Sequence, residues 1–153
     1  MKITICGSIF FLEEMRVAKQ ILETRGHEVR IPPNTMSDTH GQSISAEKFY
    51  ARRKAASDSE RWVWELKAHA MQDHFGEVVW AEALLILNFE KNGVMGYIGP
   101  NTFLEMGLAF WLEKPIYLHR EIPSLPYREE ILAMSPILTG GDLNLIPLMR
   151  RRT

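Results

Sequence analysis

One carboxylate stands out as a group that could do chemistry, because it lies in an otherwise apolar stretch. In the segment 97–109, which begins as a loop with glycine and proline, Glu105 is the only charged residue. A carboxylate in the first turn of a helix stays ionised, since the free N–H groups and the helix dipole favour negative charge. Beside an apolar site it could attack the anomeric carbon of a sugar. Gly99 and Asn101, just before it, could donate hydrogen bonds to sugar hydroxyls.

The same carboxylate also has a structural interpretation. The spacing of Thr102 and Glu105 fits a capping box, in which the glutamate bonds back to the backbone N–H at the helix start. This cap and the nucleophile would use one side chain. Spacing alone favours the cap, and both interpretations predict a helix over about 102–113, which Pro115 ends.

A second candidate segment is Cys6-Gly-Ser-Ile-Phe10, between a β-rich run and a helical pattern. Gly7 would let a ligand approach the backbone, Ser8 supplies a hydroxyl, and free N–H groups at a helix start favour an anion or a sugar hydroxyl. An ordinary turn capped by Ser8 explains the segment equally well. It does not match the glycine patterns of dinucleotide or nucleoside-triphosphate sites. Cys6 is expected to be a small buried apolar residue.

Asp73 and His74 precede a strongly apolar run and could lean over the same site. Either could act as a general acid that protonates a leaving base. The structural alternative is that Asp73 caps a helix over 73–81 and that His74 is a surface residue. The other histidines show no metal-ligand spacing with carboxylates, so the sequence predicts neither a metal site nor a cofactor; they are His27, His40, His69 and His119.

Alternating patterns predict the elements that position these residues. Strands are expected at 2–6, 27–31, 83–87, 116–118 and 137–139. Helices are expected at about 11–25, 46–71 (whole, or broken near 57–59), 73–81, 102–113, 127–134 and 143–148. The polar segment 34–45 is predicted to be a mobile loop. This alternation indicates an α/β doubly wound sandwich, whose ligands bind outside the carboxyl ends of the strands. Three segments should meet there: 6–10, 88–101 and the one after 118.

Composition bounds the function. The 153 residues suit one domain over 1–153, and a hydrophobic content of 46% suffices for a core. A net charge of −1 provides no global field for nucleic acid or an anionic membrane, and the basic Arg150–Arg152 is expected to be a solvated tail. One cysteine excludes an internal disulfide. Without a signal pattern or an apolar run of about 18 residues, a soluble cytoplasmic protein is expected.

These residues carry a family resemblance. The runs Ile5-Cys-Gly-Ser-Ile9, 84–88, 99–109 and Lys114-Pro-Ile-Tyr117 resemble the nucleoside 2-deoxyribosyltransferase superfamily, which includes the 2′-deoxynucleoside 5′-monophosphate N-glycosidases. The likeness covers most of the chain in order and is weak over 32–71.

The resemblance implies a Rossmann-like, flavodoxin-like three-layer sandwich with a mostly parallel sheet of about five strands. It implies a homodimer or higher homo-oligomer that acts on a small nucleoside or nucleotide. Glu105 would be the nucleophile of a double displacement with retained configuration, and Asp73 or His74 the acid/base. The predicted substrate-binding residues are Cys6, Gly7, Ser8, Ile9, Phe10, Asn88, Gly99, Asn101 and Thr102.

Two positions depart from the resembled proteins. Gly99 stands where some transferases have an aspartate, and Phe10 where the monophosphate hydrolases have an arginine. These departures leave open transferase against hydrolase activity and the need for a phosphate. A non-catalytic nucleotide-binding or sensor domain on the same fold is the alternative function.

Overall fold

The structure, a computed structural model, describes residues 1–38 and 40–148. The predicted basic tail Arg150–Arg152 lies outside the described residues. Within these described residues, seven strands follow in chain order: β1 (Lys2–Gly7), β2 (Glu28–Arg30), β3 (Thr35–Ser37), β4 (Ser43–Ser45), β5 (Ala83–Leu87), β6 (Ile116–Leu118) and β7 (Ile137–Leu138). Five α-helices accompany them: α1 (Leu12–Thr24), α2 (Ala46–Ala55), α3 (Arg61–Trp80), α4 (Pro100–Trp111) and α5 (Arg128–Ala133).

Five of the strands form one parallel sheet in the order β2-β1-β5-β6-β7. This is the flavodoxin-like strand order, in which the direction of winding reverses between β1 and β5. The predicted Rossmann-like, flavodoxin-like α/β class and the sheet of about five strands are therefore confirmed. The carboxyl ends of β1 and β5 lie side by side, with Gly7 opposite Leu87.

Two apolar layers cover the faces of the sheet, as expected for a central strand that is apolar throughout. Along β5, Leu85 packs in the layer with α1, whereas Leu84 and Ile86 pack in the layer with α3, α4 and α5. Cys6 on β1 faces the second layer and is fully buried. This orientation directs its thiol towards α3 and α4.

Helix α3 differs from the sequence prediction. The predicted helix over 46–71 is broken near 57–59, which was one of the two alternatives: α2 ends at Ala55 and α3 begins at Arg61. The second predicted break is wrong, since α3 continues without interruption to Trp80. Asp73 is therefore not an N-cap but a mid-helix residue, and so is His74. A local acidic residue indicated a helix start, but tertiary packing of one long helix overrides it.

The segment 34–45 was predicted to be a loop, and the structure shows an antiparallel hairpin of β3 and β4. Met36 pairs with Ile44 at its centre. The turn is closed by Asp38, whose Oδ1 accepts hydrogen bonds from the backbone of His40 and Gln42. The loop prediction is wrong. Both strands alternate polar, apolar and polar residues, as strands do, but they are only three residues long and rich in serine, which is typical of loops.

The capping box predicted for α4 is also wrong. The helix begins two residues earlier, with Gly99 as N-cap and Pro100 at the first helical position, which suits its fixed φ. No side chain caps this end of the helix, and the first turn contains no acidic residue. Glu105 is the sixth residue of α4, so it lies in the second turn rather than in the first.

The other boundaries are close to those expected. Strand β2 is shorter than the predicted 27–31, and the predicted final helix is a single 3₁₀ turn at Leu143–Leu145. Gly26 follows the end of α1 with a φ of 87°, as expected of a glycine C′ residue. In the part of the chain that the structure describes, no helix is both long and apolar enough to cross a bilayer.

Candidate active site

A cavity of about 660 Å³ opens at the carboxyl end of β1, between α3, the start of α4 and the β3–β4 hairpin. Its volume lies within the range of about 300–1,000 Å³ typical of small-molecule sites. The position agrees with the rule that ligands of such sheets bind where the strand order reverses. The cavity is therefore the candidate active site.

Glu105 lies in the wall of this cavity and is only 5% exposed. Its Oε1 is 2.8 Å from Nδ1 of His74, which reaches across from α3. Since an ionised carboxylate only accepts hydrogen bonds, Nδ1 of His74 carries the hydrogen in this pair. At the second turn, the α4 dipole contributes little to Glu105, so its negative charge depends on neighbouring side chains, among them His74.

The pair shifts the ionisation of His74. Burial by itself would lower the pKa of the imidazole, but the hydrogen bond and the negative charge of Glu105 raise it above its ordinary value. Glu77 raises the pKa of His74 as well, and Lys67 opposes both carboxylates. The cationic form of His74 is consequently favoured next to Glu105.

Cys6 lies close to both members of this pair. Burial raises the pKa of its thiol well above the usual range, and the charge of Glu105 raises it further. One ligand atom each from Cys6, His74 and Glu105 lies within 4.8 Å of the other two. The three residues come from β1, α3 and α4, so spacing along the sequence could not reveal the cluster. Their sulfur, nitrogen and oxygen donors are a set that a transition-metal ion accepts.

The structure brings some of the predicted site residues to the cavity and leaves others outside its lining. Those that line it are Gly7, Ile9, Asp73, His74, Asn101, Thr102 and Glu105. Those that do not are Cys6, Ser8, Phe10, Asn88 and Gly99. Among the lining residues Asp73 is exposed, whereas Glu105 and Thr102 are buried.

Gly7 has a packing reason besides the predicted approach of a ligand. A Cβ at this position would lie 2.7 Å from the backbone oxygen of Leu87 and 3.0 Å from Cε of Met15. The contact with the backbone of Leu87 is shorter than real side chains show, whereas the flexible end of Met15 could move away. The close approach of β1 and β5 therefore requires a glycine at the edge of the cavity.

Asn88 ties two loops together. Its amide nitrogen donates to the backbone oxygens of Gly96, at 3.3 Å, and Glu121, at 2.9 Å. Its Oδ1 accepts from the backbone N–H of Arg120 at 2.8 Å. The side chain is fully buried, so these bonds replace the contact with substrate that was predicted for it.

Lys91 connects the segment 6–10 to the two loops that Asn88 holds. Its Nζ is 3.3 Å from Oγ of Ser8 and lies over the ring of Phe10, 4.4 Å from the centroid. Ser8 also accepts from the backbone N–H of Phe10 at 3.4 Å, which is the capping role considered for it. The prediction that the three segments meet at one edge of the sheet is thus confirmed.

Two basic residues of the cavity wall were missed. Arg53 comes from α2 and Lys67 from α3, and both are partly buried. A helical signal for Lys67 was present, because 67, 70, 71 and 74 have the spacing of one helix face, and all four residues line the cavity. Placing a helix start at Asp73 separated Lys67 from His74 and hid this face.

Burial and neighbouring charges act on both cations. Burial lowers the pKa of Lys67 to about 8, with a further contribution from the positive charge of Arg53, while Glu105 opposes the change. Burial also lowers the pKa of Arg53, whose guanidinium lies over the ring of Phe49, 4.7 Å from its centroid. Neither cation forms a salt bridge within residues 1–38 and 40–148. Other carboxylates line the cavity, but Glu65 and Asp73 are exposed.

Comparison with known proteins gives one structural likeness. No protein-family model and no curated protein sequence matches the chain. The chain is similar to a solved structure of a 2-deoxyribosyltransferase from the psychrotolerant bacterium Bacillus psychrosaccharolyticus. The two are 18% identical, the match covers 78% of this chain and 72% of that one, and the TM-score is 0.47.

A second hollow, of about 450 Å³, lies on the opposite face of the sheet beside α1. It is lined by Phe89, His119 and the segment 141–144, among others. None of the residues predicted to be catalytic reaches it. The first cavity therefore remains the site that joins the candidate carboxylate, the candidate acid and a space for a ligand.

Proposed function

We propose that the protein cleaves or transfers the N-glycosidic bond of a (deoxy)nucleoside or nucleoside monophosphate, with Glu105 as nucleophile. The observation that carries the proposal is the bond between Glu105 and His74 in the wall of the cavity. Glu105 caps no helix, and a carboxylate buried to 5% exposure needs a partner or a function. The sequence resemblance to the nucleoside 2-deoxyribosyltransferase superfamily points to the same chemistry.

The proposed reaction has two steps. In the first, a carboxylate oxygen of Glu105 bonds to C1′ of the sugar, and the bond between C1′ and the base nitrogen breaks. The electron pair of that bond stays on the base, which takes up a proton from an acid in the site. In the second, water or another base attacks C1′ and gives its proton to the same group, and Glu105 leaves as a carboxylate. Two displacements at C1′ retain the configuration of the sugar.

His74 is the better supported of the two candidate acids. It contacts Glu105, and its raised pKa favours the protonated form. Asp73 also lines the cavity but is exposed, so it would meet the leaving base from the side of the solvent. The aspartate takes this role if the base leaves towards the mouth of the cavity.

A substrate that carries an anionic group, such as a 5′-monophosphate, suits the part of the cavity wall that α2 and α3 form. Arg53 and Lys67 line it as partly buried cations, and buried charges need partners. A phosphate would supply one through charge-assisted hydrogen bonds. The preference for a nucleoside monophosphate rests on these two side chains.

We also propose a homodimer in which α4 contributes to the interface. Residues 104, 108 and 111 share one face of this helix, and Leu104 and Trp111 are 47% and 81% exposed. Phe110, next to Trp111, is 54% exposed. Exposed apolar clusters of this kind mark association surfaces. We propose further that residues 1–153 form one domain. We also propose a cytoplasmic location, with which a single cysteine, Cys6, is consistent.

The test is a search for released bases. The protein is incubated with a mixture of nucleosides and nucleoside monophosphates, with and without an added free base, and the bases are followed by mass spectrometry. We expect release or exchange by the native protein and a decrease of about a thousandfold or more for Glu105→Gln. Glu65→Gln, which changes an exposed carboxylate of the same cavity, is the matched control and should stay active.

Two outcomes would refute the proposal. Equal rates for the native protein and Glu105→Gln would exclude Glu105 as nucleophile. Tight binding of a nucleotide with no turnover of any substrate would favour the non-catalytic nucleotide-binding domain. In that case Glu105→Ala should reduce the stability of the fold more than the affinity for the ligand.

A further inference from the structure

Cys6, His74 and Glu105 offer three different ligand atoms around one point. The thiol sulfur, an imidazole nitrogen and a carboxylate oxygen lie within 4.8 Å of one another. A tetrahedral ion with bonds of about 2.0–2.3 Å separates its ligand atoms by about 3.3–3.6 Å. Small side-chain movements would therefore complete the geometry, among them a widening of the 2.8 Å contact between His74 and Glu105.

The surroundings of the three residues suit a bound ion. Cys6 lies at the end of β1, while His74 and Glu105 lie in the interior of α3 and α4, so the ligands come from regular elements rather than loops. Three protein ligands leave the fourth position of a tetrahedral ion open. His74 and Glu105 line the cavity, which gives an ion and a fourth ligand access to the cluster.

The donor types select the kind of ion. A thiolate and an imidazole are preferred by Zn²⁺ and related transition metals, whereas Mg²⁺ and Ca²⁺ prefer oxygen ligands. Of the three ligands, Cys6 discriminates most strongly between these ions, because its sulfur binds as a thiolate and a thiolate has little affinity for a hard cation such as Mg²⁺ or Ca²⁺. The site is thus suited to Zn²⁺ rather than to the abundant alkaline-earth ions.

We propose that Cys6, His74 and Glu105 form a binding site for Zn²⁺, and that a bound ion withdraws Glu105 from reaction. The first half rests on the cluster alone; the second rests on the proposed function. A carboxylate bonded to Zn²⁺ shares its negative charge with the ion, so both of its oxygens become weaker nucleophiles towards a sugar carbon. Binding of Zn²⁺ would then inhibit the enzyme, because Glu105 could react with the sugar only in the metal-free protein.

Binding of the ion displaces hydrogens in a defined way. The thiol of Cys6 loses its hydrogen to the solvent as a proton and binds as a thiolate. In a neutral His74 the hydrogen on Nδ1 is replaced by one on Nε2, and in a cationic His74 the Nδ1 hydrogen leaves as a proton. Glu105 binds as a carboxylate. No oxidant or reductant takes part.

Cobalt provides a readout that does not depend on activity. Co²⁺ is titrated into the metal-free protein, and absorption is recorded for the visible bands of a tetrahedral ion and the near-ultraviolet sulfur-to-cobalt charge-transfer band. Cys6 is the only cysteine, so a charge-transfer band can come from no other thiolate. We expect one Co²⁺ per chain, and Zn²⁺ should displace it because Zn²⁺ binds more tightly to such sites.

Variants assign the ligands. Cys6→Ser should abolish the charge-transfer band. Because Cys6 is fully buried, circular dichroism is used to show that the variant protein still folds. His74→Ala changes a partly exposed residue and provides a second test; it should weaken Co²⁺ binding at least tenfold. His69→Ala is the matched control, because His69 lies on the same helix and lines the same cavity but is not part of the cluster. It should bind Co²⁺ as the native protein does.

The outcomes separate the two proposals. Absence of a charge-transfer band, or equal affinity of the native protein and His74→Ala, would overturn the metal site whatever the enzyme activity. If the band is present and Zn²⁺ stops base release by the native protein, both halves are supported. If Zn²⁺ binds and base release continues unchanged, the proposal that the ion withdraws Glu105 from reaction is wrong. A metal-binding protein that releases no base even without the ion would contradict the proposed function but not the site.

Discussion

Nδ1 of His74 and Oε1 of Glu105 lie 2.8 Å apart and join α3 to α4 at the wall of the cavity. The bond fixes the carboxylate in one orientation. It also explains how a negative charge exists at a position that is 5% exposed and a full turn beyond the helix start. The same contact links the stability of the fold to the ionisation of one histidine.

Replacement of His74 should make stability depend less on pH. Because Glu105 raises the pKa of His74 in the folded state, the stabilisation is complete below the ordinary histidine pKa of about 6.5 and is lost as pH rises through the raised value. We expect His74→Gln to lower the free energy of unfolding by about 1–2 kcal/mol at pH 6 and by less at pH 9. Urea unfolding with a chelator present measures this difference.

The control for this measurement is His69→Gln, which changes an exposed histidine of the same helix and should alter stability by less than about 0.5 kcal/mol at either pH. Glu77 and Lys67 also act on the pKa of His74, in opposite directions. A difference between the native protein and His74→Gln that grows with pH would contradict the pairing.

A phosphate on the ligand should matter less as Lys67 loses its charge. Burial and the charge of Arg53 lower the pKa of Lys67 to about 8, so its ammonium attracts an anion below that pH and not above it. In the inactive Glu105→Gln background, we expect a nucleoside monophosphate to bind about fivefold more tightly than its nucleoside at pH 7. That advantage should decline as pH rises through the pKa of Lys67, which falls further in this background because the charge of Glu105 no longer opposes the decrease.

Isothermal calorimetry at several pH values checks this expectation. Lys67→Met should reduce the advantage of the phosphate and remove its dependence on pH, leaving the part that Arg53 supplies. Lys48→Met, which changes an exposed lysine of α2 outside the cavity lining, should leave both in place. An advantage that is the same at pH 7 and pH 10 would show that Lys67 takes no part in phosphate recognition.

Two asparagines that both looked like substrate ligands should behave differently. Asn88 is fully buried and holds the backbone of Gly96, Arg120 and Glu121, so Asn88→Ala leaves buried groups unpaired. We expect a loss of about 2–4 kcal/mol of unfolding free energy. Asn101 is exposed in the cavity, so Asn101→Ala should change stability by less than about 0.5 kcal/mol and act on the Michaelis constant instead. Chemical unfolding and steady-state kinetics distinguish the two roles, and equal loss of stability in both variants would show that the assignment is wrong.

The exposed face of α4 should hold two copies together. Trp111 is 81% exposed, and Trp111→Glu would place a charge in the proposed interface. We expect the native protein to sediment as a dimer at micromolar concentration and the variant as a monomer. Leu145→Glu introduces the same charge at another exposed apolar residue, 56% exposed and distant in sequence, and should remain a dimer. A monomeric native protein would contradict the proposal.

The fold was largely predictable because its main signals are local. The apolar run 83–87 and the glycine after α1 show their roles in a few neighbouring residues, and both are confirmed. The hairpin was not predicted, since three-residue strands rich in serine give too weak an alternation. The end of α2 was recognised as one of two alternatives, but the continuity of α3 through Asp73 depends on packing that no local pattern shows.

The candidate site was less predictable, for the same reason. Glu105 was identified as an isolated carboxylate, yet its spacing favoured a cap that the structure does not form. Its neighbours Cys6 and His74 were selected one by one, and only the fold shows that they surround it. Arg53 lies in a charged segment that resembles any solvated helix surface, and the spacing that links Lys67 to His74 is recognisable only once α3 is known to continue through Asp73.

The β3–β4 hairpin and α2 have a consequence for how this scaffold can diversify. They supply the outer wall of the cavity with Thr35, Met36, Ser37 and Arg53, among others, and none of these side chains contributes to the two cores of the main sheet. Glu105, His74 and Cys6 are held by other elements. We therefore expect that a graft of the segment 32–55 from another chain, with the fully buried Phe49 retained, would change which molecules enter the cavity and leave the reacting groups in their places.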